Sequence, residues 1–168
     1  GLNPADLPPQ TGLVLVTPSH SIPAGITMTL DRRRDLLAAA DRHDFLMIED
    51  DYETEMGFLE PPSPSLKSLD GSGRVIYLGT FSKTLYPALR LAYLVLPPDL
   101  ADPFARALGE LYREGQSPQQ AVLARFMAEG HYTSHIRRMR GVYGARHDAL
   151  IHAIGHHFGG SLPVIGGD

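Results

Sequence analysis

The apolar positions fall into short unbroken runs in the first half of the chain and into helical periods in the second. Leu13-Val14-Leu15-Val16 is a short apolar run, the pattern of a buried parallel strand. Phe45-Leu46-Met47-Ile48 is the next, and it runs straight into Glu49-Asp50-Asp51-Tyr52-Glu53. Arg74 to Gly79 predicts a third strand and Arg90 to Leu96 a fourth. Between the first two, Thr29 is placed to cap a helix from about Leu30. On that helix Leu30, Leu37 and Ala40 share one face, and Arg32, Arg33, Asp35 and Asp41 are expected to point to water. Gly57 to Gly73, with its prolines and serines, reads as a long loop pinned by Leu66 and Leu69.

Beyond the fourth run the period becomes helical. Pro97-Pro98-Asp99 opens a helix from about Leu100 to Arg113. Ser117-Pro118 opens another, to about Glu129, with proline in its tolerated first-turn position. From about Thr133 to His157 a long amphipathic helix is predicted, with Ile136, Met139, Tyr143, Leu150 and Ile154 at helical spacing. Strand, helix, strand, loop, two strands and then helices predict an α/β domain. The segment joining the third and fourth runs is too short for a helical crossover. The fourth strand is therefore expected antiparallel to the third, with Lys83 in the turn region between them.

Composition narrows the class without naming a function. With 168 residues the chain is the size of one domain and can bury a core. Its net charge of −4 does not predict a nucleic-acid surface. Without cysteine there is no disulfide frame and no thiolate metal site. No apolar run is long enough to cross a bilayer, and the polar, proline-rich start does not read as a signal peptide, so a cytoplasmic protein without a membrane role is expected.

The candidate chemistry centres on Gly79-Thr80-Phe81-Ser82-Lys83-Thr84-Leu85, with Arg90 seven residues after the lysine. The chain has two lysines, Lys67 and Lys83, against thirteen arginines. A lysine among hydroxyls and near an arginine suits an aldehyde cofactor with a phosphate tail. The amine forms the Schiff base, and Thr80, Ser82 and Arg90 hold the phosphate. A plain Ser/Thr-rich turn with a surface lysine gives the same pattern. No Gly-x-x-x-x-Gly-Lys loop is present, which excludes a P-loop nucleotide site. Asp50 lies at the C-terminal end of a predicted strand, where open α/β sheets place ligands, and Tyr52 falls on the same face two residues on. An aspartate and a tyrosine there suit a pyridinium ring; a loop or capping acid is the other reading of Asp50. His20 sits in the Pro18–Pro23 loop as a further site candidate. His152 and His156 have the spacing of a helical metal pair but no third ligand, so they read as a solvated face and no metal is expected. Arg137-Arg138-Met139-Arg140 reads as an exposed helix face.

Three stretches taken together carry a family resemblance. They are Thr17-Pro18-Ser19-His20 with Pro23-Ala24-Gly25, Glu49-Asp50-Asp51-Tyr52 with Glu55, and Gly79 to Leu85 with Arg90-Leu91. They resemble the large domain of fold type I pyridoxal-phosphate (PLP) enzymes, the aspartate aminotransferase superfamily. More narrowly, they are similar to the aminotransferase-like domain of MocR/GabR-type bacterial regulators of the GntR group. Gly130-His131-Tyr132 and His135-Ile136-Arg137-Arg138-Met139-Arg140 are also similar to that subfamily. The resemblance runs from about Val14 to Phe158. It implies a three-layer α/β fragment with a mostly parallel sheet and one antiparallel strand.

The resemblance also implies site roles. Lys83 would carry PLP as a Schiff base, Asp50 would pair with the pyridine nitrogen, and Tyr52 with the ring hydroxyl. Thr80, Ser82 and Arg90 would lie on the phosphate side. Ile22 stands where aminotransferases have the asparagine of an Asn-Pro-x-Gly loop, a departure that fits a regulator better than a turnover enzyme. By the same likeness, residues 1–168 are a partial large domain: 1–11 is an irregular lead-in and 159–168 a truncated run towards a small domain. A winged-helix DNA-binding domain, the upstream half of the phosphate cup and the small domain would lie outside it. The isolated chain is therefore expected to hold PLP weakly.

Two functions follow from this likeness. In the first, PLP on Lys83 senses a small amino compound by transaldimination and shifts a DNA-binding homodimer. In the second, the same lysine serves a true aminotransferase acting on an amino acid. An α/β binding domain without a cofactor is the third reading.

Overall fold

The computed structural model describes residues 2–21, 25–52, 54–57, 63–113, 115–162 and 164. Ile22 lies outside them. The strands are β1 (Leu13–Val16), β2 (Leu46–Asp51), β3 (Val75–Thr80) and β4 (Ala92–Val95), ordered β1-β2-β3-β4 in one sheet. β1, β2 and β3 run parallel, and β4 is antiparallel to β3, as the short connection required. β1, β3 and β4 lie within two residues of their expected bounds, whereas β2 runs three residues past Ile48 to Asp51, because Glu49 and Asp51 continue the inward face of the strand.

α1 (Leu30–His43) links β1 to β2. Thr29 caps it by accepting from the Arg32 amide at 3.4 Å. It ends at Asp44, in the left-handed conformation, with Arg42 and His43 in the last turn. The inward face differs from the expected one. Leu36, Ala39 and Ala40 are buried and Arg33 is fully buried, whereas Leu37 is only half-buried. Arg33 turns inward because it has buried partners, described below. The loop after β2 also contains a one-turn helix, α2 (Leu66–Leu69), capped by Ser65. Leu66 is fully buried, so it pins the loop as expected.

One sheet face forms the core. Val14, Val16, Met47 and Val75 point towards Met28, Leu36, Ala39, Ala40, Phe45 and Leu66. By the strand alternation Leu13, Leu15 and Leu94 lie on the other face, and Leu13 and Leu15 are 55% and 65% exposed.

A one-turn helix, α3 (Phe81–Thr84), follows β3, and the C-terminal half is helical: α4 (Pro98–Tyr112), α5 (Ser117–Ala128) and α6 (His131–Phe158). α6 starts after Gly130 at φ 77° and is longer than predicted. Of its expected apolar stripe Ile136 is buried, Met139 and Tyr143 are half-buried, and Leu150 is exposed. Among the described residues no helix is long and apolar enough to cross a membrane.

Candidate functional site

β2 alternates cleanly. Met47, Glu49 and Asp51 face the core, and Asp50 lies on the opposite face with Ile48. Asp50 pairs in register with Leu78, so Thr80, two residues on, shares the Asp50 face of the sheet. The Asp50 carboxyl is pushed above the usual carboxylate range, first by burial and then by the neighbouring charge of Asp51.

Thr80 ends β3, and its hydroxyl accepts from the Ser82 amide at 3.2 Å. That bond turns the chain into α3 (Phe81–Thr84), a single helical turn. Lys83 therefore sits on a short helix and not in an irregular turn. A 3-10 turn, Pro87–Leu89, follows and ends at Arg90. The Phe81 amide donates to Leu91 O at 3.0 Å, which folds Arg90 back beside the start of α3. Arg90 has φ 54°, a left-handed backbone that a non-glycine residue adopts at a cost. Its side chain is exposed, as is that of Lys83.

The two limbs meet at Lys83 and Tyr52. Lys83 Nζ lies 6.0 Å from the centre of the Tyr52 ring. The Tyr52 hydroxyl donates to His20 O at 3.0 Å, so His20 joins the site through its backbone. The second lysine has other duties: Lys67 Nζ donates to Val75 O at 2.8 Å and lies 3.7 Å from Asp70.

Beside these residues lies a small polar recess of about 10 Å³, lined by Asp51, Tyr52, Tyr77, Thr80, Thr84 and Tyr93 among others. That is room for about one water, not for a cofactor. The Tyr77 hydroxyl donates to Asp51 Oδ2 at 2.9 Å, and burial and that charge raise its pKa. Tyr93 lies across Gly79, and a Cβ there would run into its ring. That contact explains the glycine in Gly79-Thr80. Asp50, Tyr52, Lys83 and Arg90 are the residues that would hold a cofactor. These residues suit PLP in kind. An amine stands beside an aromatic ring, and burial and the Asp51 charge destabilise the ionised Asp50 carboxyl. A protonated ring nitrogen would relieve it.

Two groups of residues have roles that the sequence did not assign, although Glu49, Glu55, Tyr132, His135 and Arg140 stand in the stretches that carry the family resemblance. The first is the buried pair that holds the site loops. Arg33 Nη1 lies 3.7 Å from Glu49 Oε1, with both side chains fully buried. Arg33 also donates to Met28 O and Pro18 O at 3.0 Å each and to Pro64 O at 3.2 Å. Glu49 accepts from the amides of Leu66 and Lys67 at 2.8 Å each. Burial raises the Glu49 pKa against those bonds and lowers that of Arg33 against the Glu49 charge. The second group is on α6. Tyr132 donates to Glu55 Oε2, Arg140 Nε donates to Glu55 O at 2.8 Å, and His135 Nε2 lies 2.9 Å from Thr84 O. No group of three metal-ligating side chains occurs among the described residues, and His152 and His156 only stack, with ring centres 6.4 Å apart.

Comparison with known proteins places the chain in a family. The family model described as aminotransferase class I and II matches residues 5–167. The HTH-type transcriptional regulator TauR of Rhodobacter capsulatus is 45% identical over 154 residues, which are 92% of this chain and 32% of that protein. The probable rhizopine catabolism regulatory protein MocR of Rhizobium meliloti is 41% identical over 156 residues, 93% of this chain and 32% of that protein. Among solved structures, the kynurenine aminotransferase of Pyrococcus horikoshii, in complex with PMP, superposes with a TM-score of 0.79 at 36% identity. That match covers 85% of this chain and 35% of the enzyme. The chain thus spans about a third of the length of its relatives.

Proposed function

The chain belongs to the aminotransferase class I and II family, and from that premise we propose that it is the PLP-binding, effector-sensing region of a MocR-type bacterial transcription regulator. The observation that carries the proposal is the convergence of Lys83 on Tyr52, 6.0 Å from its ring, beside the strand end that bears Asp50. PLP, when bound, would supply an electrophilic carbon for amines. Lys83 would hold it through its amine, the group against which a small amino compound would compete. Asp50 keeps the ring nitrogen protonated and thereby loses the penalty of its own ionised, partly buried state. The Tyr52 phenol, already placed by His20 O, borders the ring. Thr80, Ser82 and Arg90 take the phosphate side, with the Arg90 guanidinium as the strong partner.

The regulator reading rests on the identity to TauR and MocR, which exceeds that to the kynurenine aminotransferase. In this reading DNA is bound outside these residues, the protein is cytoplasmic, and the functional unit is a homodimer. An exposed apolar stripe on α4, with Leu108 and Leu111, supports a second copy as its cover. The full regulator is expected to change its DNA affinity on adding an amino compound, measured by fluorescence anisotropy, and Lys83→Ala to abolish that response. An amine response that survives in Lys83→Ala would overturn the reading. The fold match to kynurenine aminotransferase supports turnover as the alternative. Sustained keto-acid production by the full protein would favour it.

A further inference from the structure

The start of α6 touches both limbs of the site and belongs to neither. Tyr132, in its first turn, donates to the Glu55 carboxylate, and Arg140, two turns on, donates to the Glu55 carbonyl at 2.8 Å. Glu55 lies in the 3-10 turn Thr54–Met56 that follows Asp50 and Tyr52, and Asp51 Oδ1 holds that turn by accepting from the Thr54 amide at 3.2 Å. Between Tyr132 and Arg140 on α6 stands His135. Its Nε2 lies 2.9 Å from Thr84 O, the carbonyl next to Lys83 at the end of α3. A carbonyl oxygen can only accept, so Nε2 carries the proton. The Tyr132 ring also packs edge-on against Phe81, the first residue of α3, with centres 5.9 Å apart.

We propose that Tyr132, His135 and Arg140 form a latch that positions the helix of Lys83 against the loop of Asp50 and Tyr52. α3 is one turn long and too short to hold its own geometry. Its carbonyl ends need outside donors, and His135 supplies one. Lys83 and Tyr52 come from segments about thirty residues apart in sequence, and α6 contacts both, through Thr84 O and the Phe81 ring on one side and through Glu55 on the other. These three are positioning residues. Their effect on PLP rests on the reading of Lys83 as the cofactor lysine, but their effect on α3 does not.

The test uses the full protein with His135→Leu, which removes the donor, and His135→Gln, which returns an N–H near the same place. Hydrogen exchange without PLP reads α3 directly through the Leu85 amide, bonded to Phe81 O at 2.9 Å. In His135→Leu that amide is expected to exchange about three- to tenfold faster, with β2 unchanged as the control for folding. PLP affinity is expected to fall by a similar factor of about three to ten. His135→Gln should restore both. Unchanged Leu85 exchange in His135→Leu, or failure of His135→Gln to restore it, would overturn the latch. So would unchanged PLP affinity in His135→Leu when the parent binds PLP on Lys83. If the parent binds no PLP at all while Leu85 exchange responds and is rescued, the latch stands and the cofactor reading falls.

Discussion

Between Leu13 and Thr80 the chain buries a continuous core on one sheet face, with a buried ion pair at its edge. Between Pro98 and Phe158 the described helices bury only Leu123, Tyr132 and Ile136, while Leu108, Leu111, Val122 and Leu150 stand exposed. The first region is held by its own contacts. The second is anchored near the start of α6 and turns apolar faces outward. This contrast explains where the candidate site lies. Asp50 and Tyr52 are fixed from the self-sufficient side, through β2 and the Arg33–Glu49 pair. Lys83 is reached from the other side, through α3 and α6.

The largest effect expected is on that pair. Arg33→Met leaves Glu49 buried without its cation and should lower stability by about 3–5 kcal/mol, read by urea unfolding. A change below about 1 kcal/mol would mean that the first region does not depend on it. Next comes a matched comparison of two leucines. Leu36→Ala, in the core, should cost about 2–5 kcal/mol, whereas Leu111→Ala, 75% exposed on α4, should stay within about 0.5 kcal/mol in the monomer. Equal costs would erase the distinction between the regions.

Smaller effects separate function from stability at the site itself. Arg90→Gly relieves a left-handed backbone and removes the guanidinium. Stability should hold or rise by up to about 1 kcal/mol, while PLP affinity of the full protein falls about tenfold or more, measured by equilibrium dialysis. The smallest effect concerns pH. The folded-state pKa of Asp50 is raised, so the folded protein binds that proton more readily than the unfolded chain does. Its contribution is therefore most favourable below the unfolded value and is lost as pH rises through the folded value. Asp50→Asn removes that loss. Without PLP it should raise the urea midpoint near pH 7 and leave it unchanged near pH 3, about a unit below an ordinary aspartate.

Much of this arrangement was legible from local pattern. The strands announce themselves as short apolar runs, and the brief link around Lys83 dictates an antiparallel β4. Asp50, Tyr52, Lys83 and Arg90 stand in motifs whose order is visible along the chain. Arg33 was misjudged for a physical reason. An arginine on an amphipathic helix is normally solvated, and its burial here depends on Glu49 and on carbonyls of Pro18, Met28 and Pro64, brought together only by the fold. His135 stands in a stretch similar to the regulator subfamily, but its role was not legible because its partner is a backbone carbonyl 51 positions away, and any residue at 84 would offer one. Tyr132 and Arg140 share that difficulty, since Glu55 is met only in the fold.

The central claim is that Lys83, and not the second lysine, carries the cofactor. Borohydride reduction of the full protein with PLP, followed by peptide mass mapping, tests it most directly. The reagent adds hydride to the carbon–nitrogen double bond and fixes the cofactor on its lysine. A pyridoxyl-phosphate group is expected on the peptide of Lys83 and none on that of Lys67, whose amine is tied to Val75 O and Asp70. Labelling of both lysines alike, or of neither, would contradict it.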